Sequence, residues 1–340
     1  MMIRLTTRRF TQEEWTGLVS DFRDLSLIQT WEYGEAKAQT GPWKVERAVF
    51  LHGGRIVGAC QAMIRVLPFL GRGVVWINRG PLWRRLDEEP DVSVLSAMLV
   101  ELRRYWVEER GMYLLIAPLL YREEAFTSPF PPSGFAWLEA VSGWASARLD
   151  LSLPLGELRR LLHPKWRNCL NKAERLGLTS ELGHNDQVFL QVMAEYQRML
   201  EQKGYQPGLT PALIAQWQKL LGEDRKLWGV IGKQGEERLG AILIARYGNT
   251  CEYVIGAVNQ AGRAANVNFL LLWQAIGHMK ELGYRWFDLG GMHPQNTPAG
   301  ILYFKSGLRG YPYMLVGELE AYNKNIIVEA IRRYIRHTRR

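Results

Sequence analysis

The chain reads as two tandem α/β domains, and three observations predict this. An order of elements occurs twice: residues 55–65, 74–78, a helical stretch at 94–109 and a strand at 112–117 recur as 238–245, 251–255, 268–282 and 284–289. Both helical stretches carry apolar side chains at helical spacing, Leu95, Met98, Leu99, Leu102 and Trp106 in the first, Phe269, Leu272, Ile276 and Met279 in the second. The length of 340 residues, 47% of them hydrophobic, suffices for two cores.

Each element has a local reason. The strands are alternating or continuous apolar runs rich in Val and Ile, and each repeated helix stops at a glycine, Gly111 or Gly283, the residue that most easily enters the left-handed C′ conformation. The first domain is expected over residues 1–150, closing with a strand within 144–153. The second is expected over 151–320. There His163-Pro164 interrupts a helical pattern, and Lys165 opens a basic helix that runs to Gly177. Residues 187–203 place Phe189, Val192, Met193, Tyr196 and Leu200 on one helix face, and Thr210-Pro211 supplies an N-cap and an N1 proline for the next helix. Residues 321–340 read as a basic amphipathic helix with Ile327, Ala330, Ile331, Tyr334 and Ile335 at helical spacing.

The net charge of +9 is not spread evenly. Residues 159–175 hold six Lys or Arg against one Glu, residues 324–340 hold another six against one Glu, and the remainder nets −1. Two short cationic segments suit a polyanion, and tRNA phosphates and anionic lipid headgroups fit equally. Both segments also fit docked helices with a solvated basic face. Cys60, Cys169 and Cys251 are scattered and the six histidines form no ligand pair, so neither a disulfide framework nor a metal site is expected. No run approaches the roughly 18 apolar residues of a membrane span. Residues 1–9 hold no apolar leader core, so a cytoplasmic protein is expected.

The candidate site lies in Phe287-Asp-Leu-Gly-Gly291 and in Phe304-Lys305, within Gly300-Ile-Leu-Tyr-Phe-Lys-Ser-Gly-Leu-Arg-Gly310. A strand ending in Asp288 and two glycines brings backbone to an open edge, and a lysine beside an aromatic can fix a positive charge there, which suits a developing oxyanion. The same residues also fit a plain strand end with a solvated lysine.

Five segments, in order along the chain, resemble the FemABX family of bacterial peptidoglycan bridge-forming aminoacyltransferases, in the short form without a coiled-coil arm. They are Gln29-Thr-Trp-Glu-Tyr-Gly-Glu-Ala-Lys37, Arg79-Gly-Pro81, Lys165-Trp-Arg-Asn-Cys-Leu-Asn-Lys-Ala-Glu-Arg-Leu-Gly177, and the two segments of the candidate site. The resemblance implies an α/β (α+β) fold of two tandem GNAT-like acyltransferase domains, with mixed, mostly antiparallel sheets flanked by helices. It implies transfer of an amino acid from an aminoacyl-tRNA donor to the side-chain amine of a stem peptide, on a lipid-linked or UDP-linked muropeptide precursor, without a cofactor or metal. Lys305 aligns with the family's lysine and is implied as the cationic catalytic residue. Lys37 aligns with a lysine that contacts the acceptor's diphosphate. Trp31, Arg79, Tyr253, Asp288 and Phe304 fall where acceptor or donor would bind.

Arg159, Arg160, Lys165, Arg167, Lys172, Arg332, Arg333 and Arg336 are candidates for tRNA or an anionic surface, including peripheral contact with the inner face of the membrane. The chain departs from the family's pattern in three places: Lys203 stands near the position of an arginine, Ala117-Pro118 replaces Asp-Pro, and Leu308-Arg309 replaces Phe-Gly. Two other readings stay open. One is an acyl-CoA-dependent GNAT N-acyltransferase using the glycine-containing loop at 259–264, and the other is a non-catalytic RNA- or membrane-surface-binding protein.

Overall fold

A computed structural model of the chain describes residues 1–127, 130, 133–138, 141–204 and 207–338. The chain divides into two compact units. The first begins with β1 (Arg4–Thr7), α1 (Gln12–Ser20), α2 (Trp31–Thr40), β2 (Lys44–His52), β3 (Arg55–Val66), β4 (Gly73–Asn78), α3 (Val92–Arg103), β5 (Tyr113–Ala117) and β6 (Ala136–Trp137). The second holds β7 (Ala145–Asp150), α4 (Leu155–Leu161), α5 (Pro164–Arg175), β8 (Thr179–Gly183), α6 (Asp186–Lys203), α7 (Pro211–Leu220), β9 (Trp228–Gln234), β10 (Glu237–Tyr247), β11 (Thr250–Val258), α8 (Gln260–Ala264), α9 (Val267–Glu281), β12 (Trp286–Asp288), α10 (Ala299–Ser306) and β13 (Tyr311–Met314). The chain then returns to the first unit with β14 (Leu319–Ala321) and α11 (Ile326–Thr338).

The predicted duplication is visible in the sheets. The first has the order β1-β2-β3-β4-β5-β14-β6, with β4 and β5 parallel and the other neighbours antiparallel. The second has the order β13-β7-β12-β11-β10-β9-β8, with β11 and β12 parallel. In each, the parallel pair is joined by the helix whose apolar spacing marked it. A parallel connection needs such a crossover. In the first core, Leu95, Met98, Leu99 and Leu102 of α3 pack on Phe50, Val75, Ile77, Leu114 and Ile116. Burying each such side chain contributes about 1.5–3 kcal/mol. In the second, Leu272, Ile276 and Met279 are joined by Leu270, Leu271 and Trp273, so α9 is buried around most of its circumference.

Three expectations are corrected. The strand at 144–153, expected to close the first domain, is β7, and it pairs with β12 inside the second sheet. The segment expected at the end of the second domain contributes β14, which inserts between β5 and β6 of the first sheet. Both differences come from long-range strand pairing, which no local pattern encodes. The helix expected over 94–109 is α3 to Arg103, continued by one widened π-type turn at 104–109. Residues 339 and 340 of the expected C-terminal segment lie outside the described residues.

The caps follow the sequence. Thr210 Oγ1 accepts from Leu213 N at 3.2 Å with Pro211 at N1, and His163 Nδ1 accepts from Lys165 N at 3.3 Å with Pro164 at N1. The C-terminal helix is docked by a buried ion cluster as well as by Val328. Glu320 of β14 is 1% exposed and accepts from Tyr113 Oη at 2.6 Å, from Arg332 Nη2 at 2.8 Å and from Arg336. Replacing Glu320 by Ala would leave two guanidiniums and a phenol without their shared acceptor. The expected cost is about 3–5 kcal/mol, read as a lower urea midpoint, with early proteolytic cleavage near residue 325.

Candidate functional site

In the second unit, β11 and β12 pair only from Thr250↔Trp286 to Glu252↔Asp288. Beyond that point they part. β11 continues to Val258, with Val254 as an extra residue between the pairs Leu243↔Ile255 and Ile244↔Tyr253. The other chain turns away to β7, Leu289 N donating to Ala147 O at 3.0 Å and Met292 N to Ala145 O at 2.7 Å. The bulge and the end of the parallel ladder leave the backbone around Tyr253 and Gly290 outside regular pairing, although the two chains still approach closely there.

Asp288 stands at the end of that ladder. It is 2% exposed and fully engaged. The Ser146 hydroxyl lies 2.6 Å from Oδ1, Gly290 N donates to Oδ1 at 2.9 Å, Tyr313 Oη donates to Oδ2 at 2.6 Å and Arg148 Nε donates to Oδ2 at 3.1 Å. These contacts occupy the carboxylate's acceptor sites, the Ser146 hydroxyl also lying 2.8 Å from Gly290 O, so Asp288 holds the turn in place. Gly290 sits at φ +68°, and a Cβ there would fall 2.7 Å from Tyr253 O. Only glycine satisfies both the conformation and the close approach.

Lys305 meets this turn from α10. Its residue is 7% exposed, its Nζ donates to Gly291 O at 3.1 Å and lies 5.1 Å from the centroid of the Tyr253 ring. Among the described residues, no carboxylate comes within ion-pair range of this ammonium. Burial therefore lowers its pKa from the ordinary lysine value to about 8, with the more distant Asp288 and Glu252 opposing the shift. Phe304 sets the approach: its ring stacks on Trp166 at 6.1 Å and meets Phe269 edge-on at 5.0 Å, while its carbonyl accepts from Trp166 Nε1 at 3.0 Å. Phe304 is thus a packing residue that positions Lys305. Tyr253 is half-buried, and the desolvation of its phenol pushes its pKa up, so it offers a neutral face beside the ammonium.

The first unit holds the other candidates. Gln29, just ahead of α2, donates to Asn78 O at 2.7 Å and Gln61 O at 3.2 Å and accepts from Gln61 N at 2.7 Å. It ties the start of α2 to the turn that carries Arg79. Arg47 completes the network, donating to Gln61 Oε1 at 2.8 Å and to Glu35 at 2.8 Å. Much of the first motif is therefore structural. Three groups keep open capacity. Trp31 Nε1 is buried without a hydrogen-bond partner among the described residues. Burial lowers the pKa of Lys37, which is half-buried in the last turn of α2. The Arg79 guanidinium is buried, lies 4.8 Å from the Trp144 ring centroid and makes no side-chain hydrogen bond among the described residues.

The remaining candidates lie on helices. Lys203 is exposed in the last turn of α6. Arg159 pairs with Glu174 at 2.5 Å, Arg167 donates to Arg160 O at 3.3 Å and Lys172 reaches Ala264 O at 3.4 Å, while Arg160 and Lys165 face solvent. Arg332 and Arg336 are committed to Glu320, leaving Arg333 as the exposed cation of that trio, with Glu329 at 3.2 Å. Sequence reading missed Ser146, Arg148 and Tyr313. The alternation of β7, which puts Ser146, Arg148 and Asp150 on one face of an otherwise apolar strand, was the available signal.

The loop at 259–264, a candidate diphosphate cradle, is closed on itself. Asn259 Oδ1 accepts from Gly262 N at 2.7 Å and Asn259 O from Arg263 N at 3.0 Å. A Cβ on Gly262 would fall 2.1 Å from Leu239 O, so this glycine serves close packing of α8 on β10.

An acetyltransferase (GNAT) domain family matches residues 163–306. No curated protein sequence matches the chain significantly. Among solved structures, FemX is similar over 97% of this chain and 100% of its own, with 15% identity and a TM-score of 0.79. The C-terminal domain of a putative lysylphosphatidylglycerol synthetase from Agrobacterium fabrum is 14% identical over 96% of this chain and 97% of its own, with a TM-score of 0.57. A tandem GNAT protein from the clavulanic acid biosynthesis pathway is 12% identical over 94% and 98%, with a TM-score of 0.54. The chain has the FemX-like double GNAT fold that its motifs implied.

A buried ammonium without a carboxylate partner is a local destabilisation. Its folded pKa of about 8 lies below the unfolded value of 10.5, so the fold binds fewer protons in that window and stability from this group rises with pH across it. Lys305→Met is accordingly expected to raise the melting temperature at pH 7, by up to about 3 kcal/mol in stability, with the advantage shrinking as pH rises through the same window.

Proposed function

We propose that the protein is an aminoacyltransferase that moves an amino acid from the ester of an aminoacyl-tRNA to the side-chain amine of a peptidoglycan precursor's stem peptide. The observation that carries this reading is the Lys305 ammonium, buried beside Gly290 and Gly291 at the end of the β11–β12 ladder without a counter-ion among the described residues. The FemX-like fold over nearly the whole chain supports an acyl-transfer chemistry, and a second structural neighbour is named for lysyl transfer to a lipid.

The reaction asks for alignment and charge stabilisation more than for a nucleophilic side chain. The acceptor amine attacks the ester carbonyl carbon, the carbonyl becomes a tetrahedral oxyanion, and the C–O bond to the ribose breaks as the C–N bond remains. The proton lost by the attacking amine ends on the departing ribose oxygen. Lys305, charged in most molecules at pH 7, faces the oxyanion as a fixed donor in a site of low dielectric. Its pKa near 8 also lets it exchange a proton with the solvent at little cost. Asp288 acts through the turn and is a positioning residue. In the first unit, Arg79 and Lys37 are the cations with open capacity for an acceptor phosphate, and Trp31 adds an unused donor. In this reading Arg160, Lys165 and Lys172 on α4 and α5 contact tRNA phosphates.

The acyl-CoA reading is the weaker one. The loop that would hold the cofactor's diphosphate has the amides of Gly262 and Arg263 engaged by Asn259.

Mass spectrometry of a muropeptide precursor, incubated with the protein and a mixture of charged tRNAs, tests the proposal. A mass gain of one amino-acid residue that disappears with RNase is expected, and an RNase-insensitive acyl gain with acetyl-CoA would overturn it. Lys305→Ala should lower kcat about 10²- to 10³-fold in a protein that still folds. With Lys305 acting as a cation, kcat of the wild type should fall as pH rises above about 8. Lys305→Arg should keep partial activity and lose that alkaline limb, because arginine stays charged.

A further inference from the structure

The hairpin between β3 and β4 has the sequence Arg65-Val-Leu-Pro-Phe-Leu-Gly-Arg72, an apolar tip between two arginines. The turn is closed by Leu67 N donating to Arg72 O at 2.8 Å, yet Val66, Leu67, Phe69 and Leu70 are all exposed. Phe69 is fully exposed and sits at φ +65°, a conformation that favours Gly or Asn and disfavours a bulky residue. Neither packing nor backbone preference explains a phenylalanine there.

Across from this tip lies a second unpartnered apolar stripe. Ile326, Ala330 and Tyr334 follow one another at i, i+4 and i+8 on α11, beside the stripe of Val328, Ile331 and Ile335 that docks the helix. Ile326 is 86% exposed and Tyr334 69%. Between hairpin and helix runs an open groove of about 680 Å³, lined by Leu67, Leu70, Ile327, Ala330 and Tyr334, with Arg65 at its edge. Exposed positive charge is added by Lys324, just ahead of α11, and by Arg333 on it, the latter with Glu329 at 3.2 Å.

We propose that this face is a docking surface for an anionic lipid bilayer, with the 66–70 tip and the Ile326–Ala330–Tyr334 stripe entering the interfacial region. The chemistry is complementary at each level. Apolar side chains leave water for the acyl boundary, the exposed Arg65 flanks the tip where a long cationic side chain can reach phosphates, and Tyr334 offers an aromatic body with a polar end, while Arg72 is held in the fold by donating to Gly111 O at 3.0 Å. No described helix is long and apolar enough to cross a membrane, so the contact is peripheral. The surface stands on observations independent of the transfer reaction.

Flotation of the full chain with vesicles tests it, comparing phosphatidylcholine alone with an equimolar mixture of phosphatidylcholine and phosphatidylglycerol. Association with the anionic vesicles is expected, weaker on neutral ones and weakened by salt. Phe69→Asn, which suits the left-handed backbone, should preserve or raise the melting temperature while weakening vesicle binding about tenfold. Tyr334→Ser should weaken it as well. Absence of flotation at low ionic strength, or flotation unchanged by Phe69→Asn, would overturn the proposal. So would a wild-type dimer that Phe69→Asn converts to monomer, or a tRNA mobility shift that Phe69→Asn abolishes, each without vesicle binding.

Discussion

The carboxylate of Asp288 is the constraint on which the second unit's site depends. Its donors come from Ser146 and Arg148 in β7, from Gly290 in the turn and from Tyr313 in β13, so one side chain fastens three sheet segments far apart in sequence. The turn it holds presents Gly291 O to Lys305. A buried carboxylate is stable only when its acceptor sites are met, and here the need for partners also fixes the geometry of the turn. The GNAT match at 163–306 includes Asp288 and Lys305 but neither β7 nor Tyr313, so the clamp draws on chain outside the recognisable domain.

The two units share a division of labour among polar groups. Asp288 in one and Gln29 with Arg47 in the other are saturated by protein partners and serve as anchors. Lys305 and Arg79 are buried cations left without a carboxylate among the described residues, one against a carbonyl and a tyrosine ring, the other against the face of Trp144. Holding a charge in that state disfavours the fold and favours an incoming anion or oxyanion, since the protein has not already neutralised it. The same contrast recurs on α11, where Arg332 and Arg336 answer Glu320 while the apolar stripe through Tyr334 has no counterpart.

The duplicated order of elements, the core faces of α3 and α9 and the cap at Thr210 were legible in the sequence, because each rests on local periodicity or local backbone preference. Less legible was what each site residue does. The contacts of Asp288 and Phe304 were not legible, since their partners Ser146, Tyr313, Trp166 and Phe269 arrive from distant segments. Arg332 and Arg336 looked like a free basic face. Their acceptor, Glu320, lies on a strand whose place between β5 and β6 no local pattern records.

The sequence by itself determined which segments become strands and helices and which charges cluster, because propensity, capping and spacing act over a few residues. Only the tertiary structure decided which of those charges remain available. Whether a guanidinium meets a buried carboxylate, as Arg332 does, or a bare aromatic face, as Arg79 does, is settled by strand pairing across the whole chain and by the desolvation that follows it.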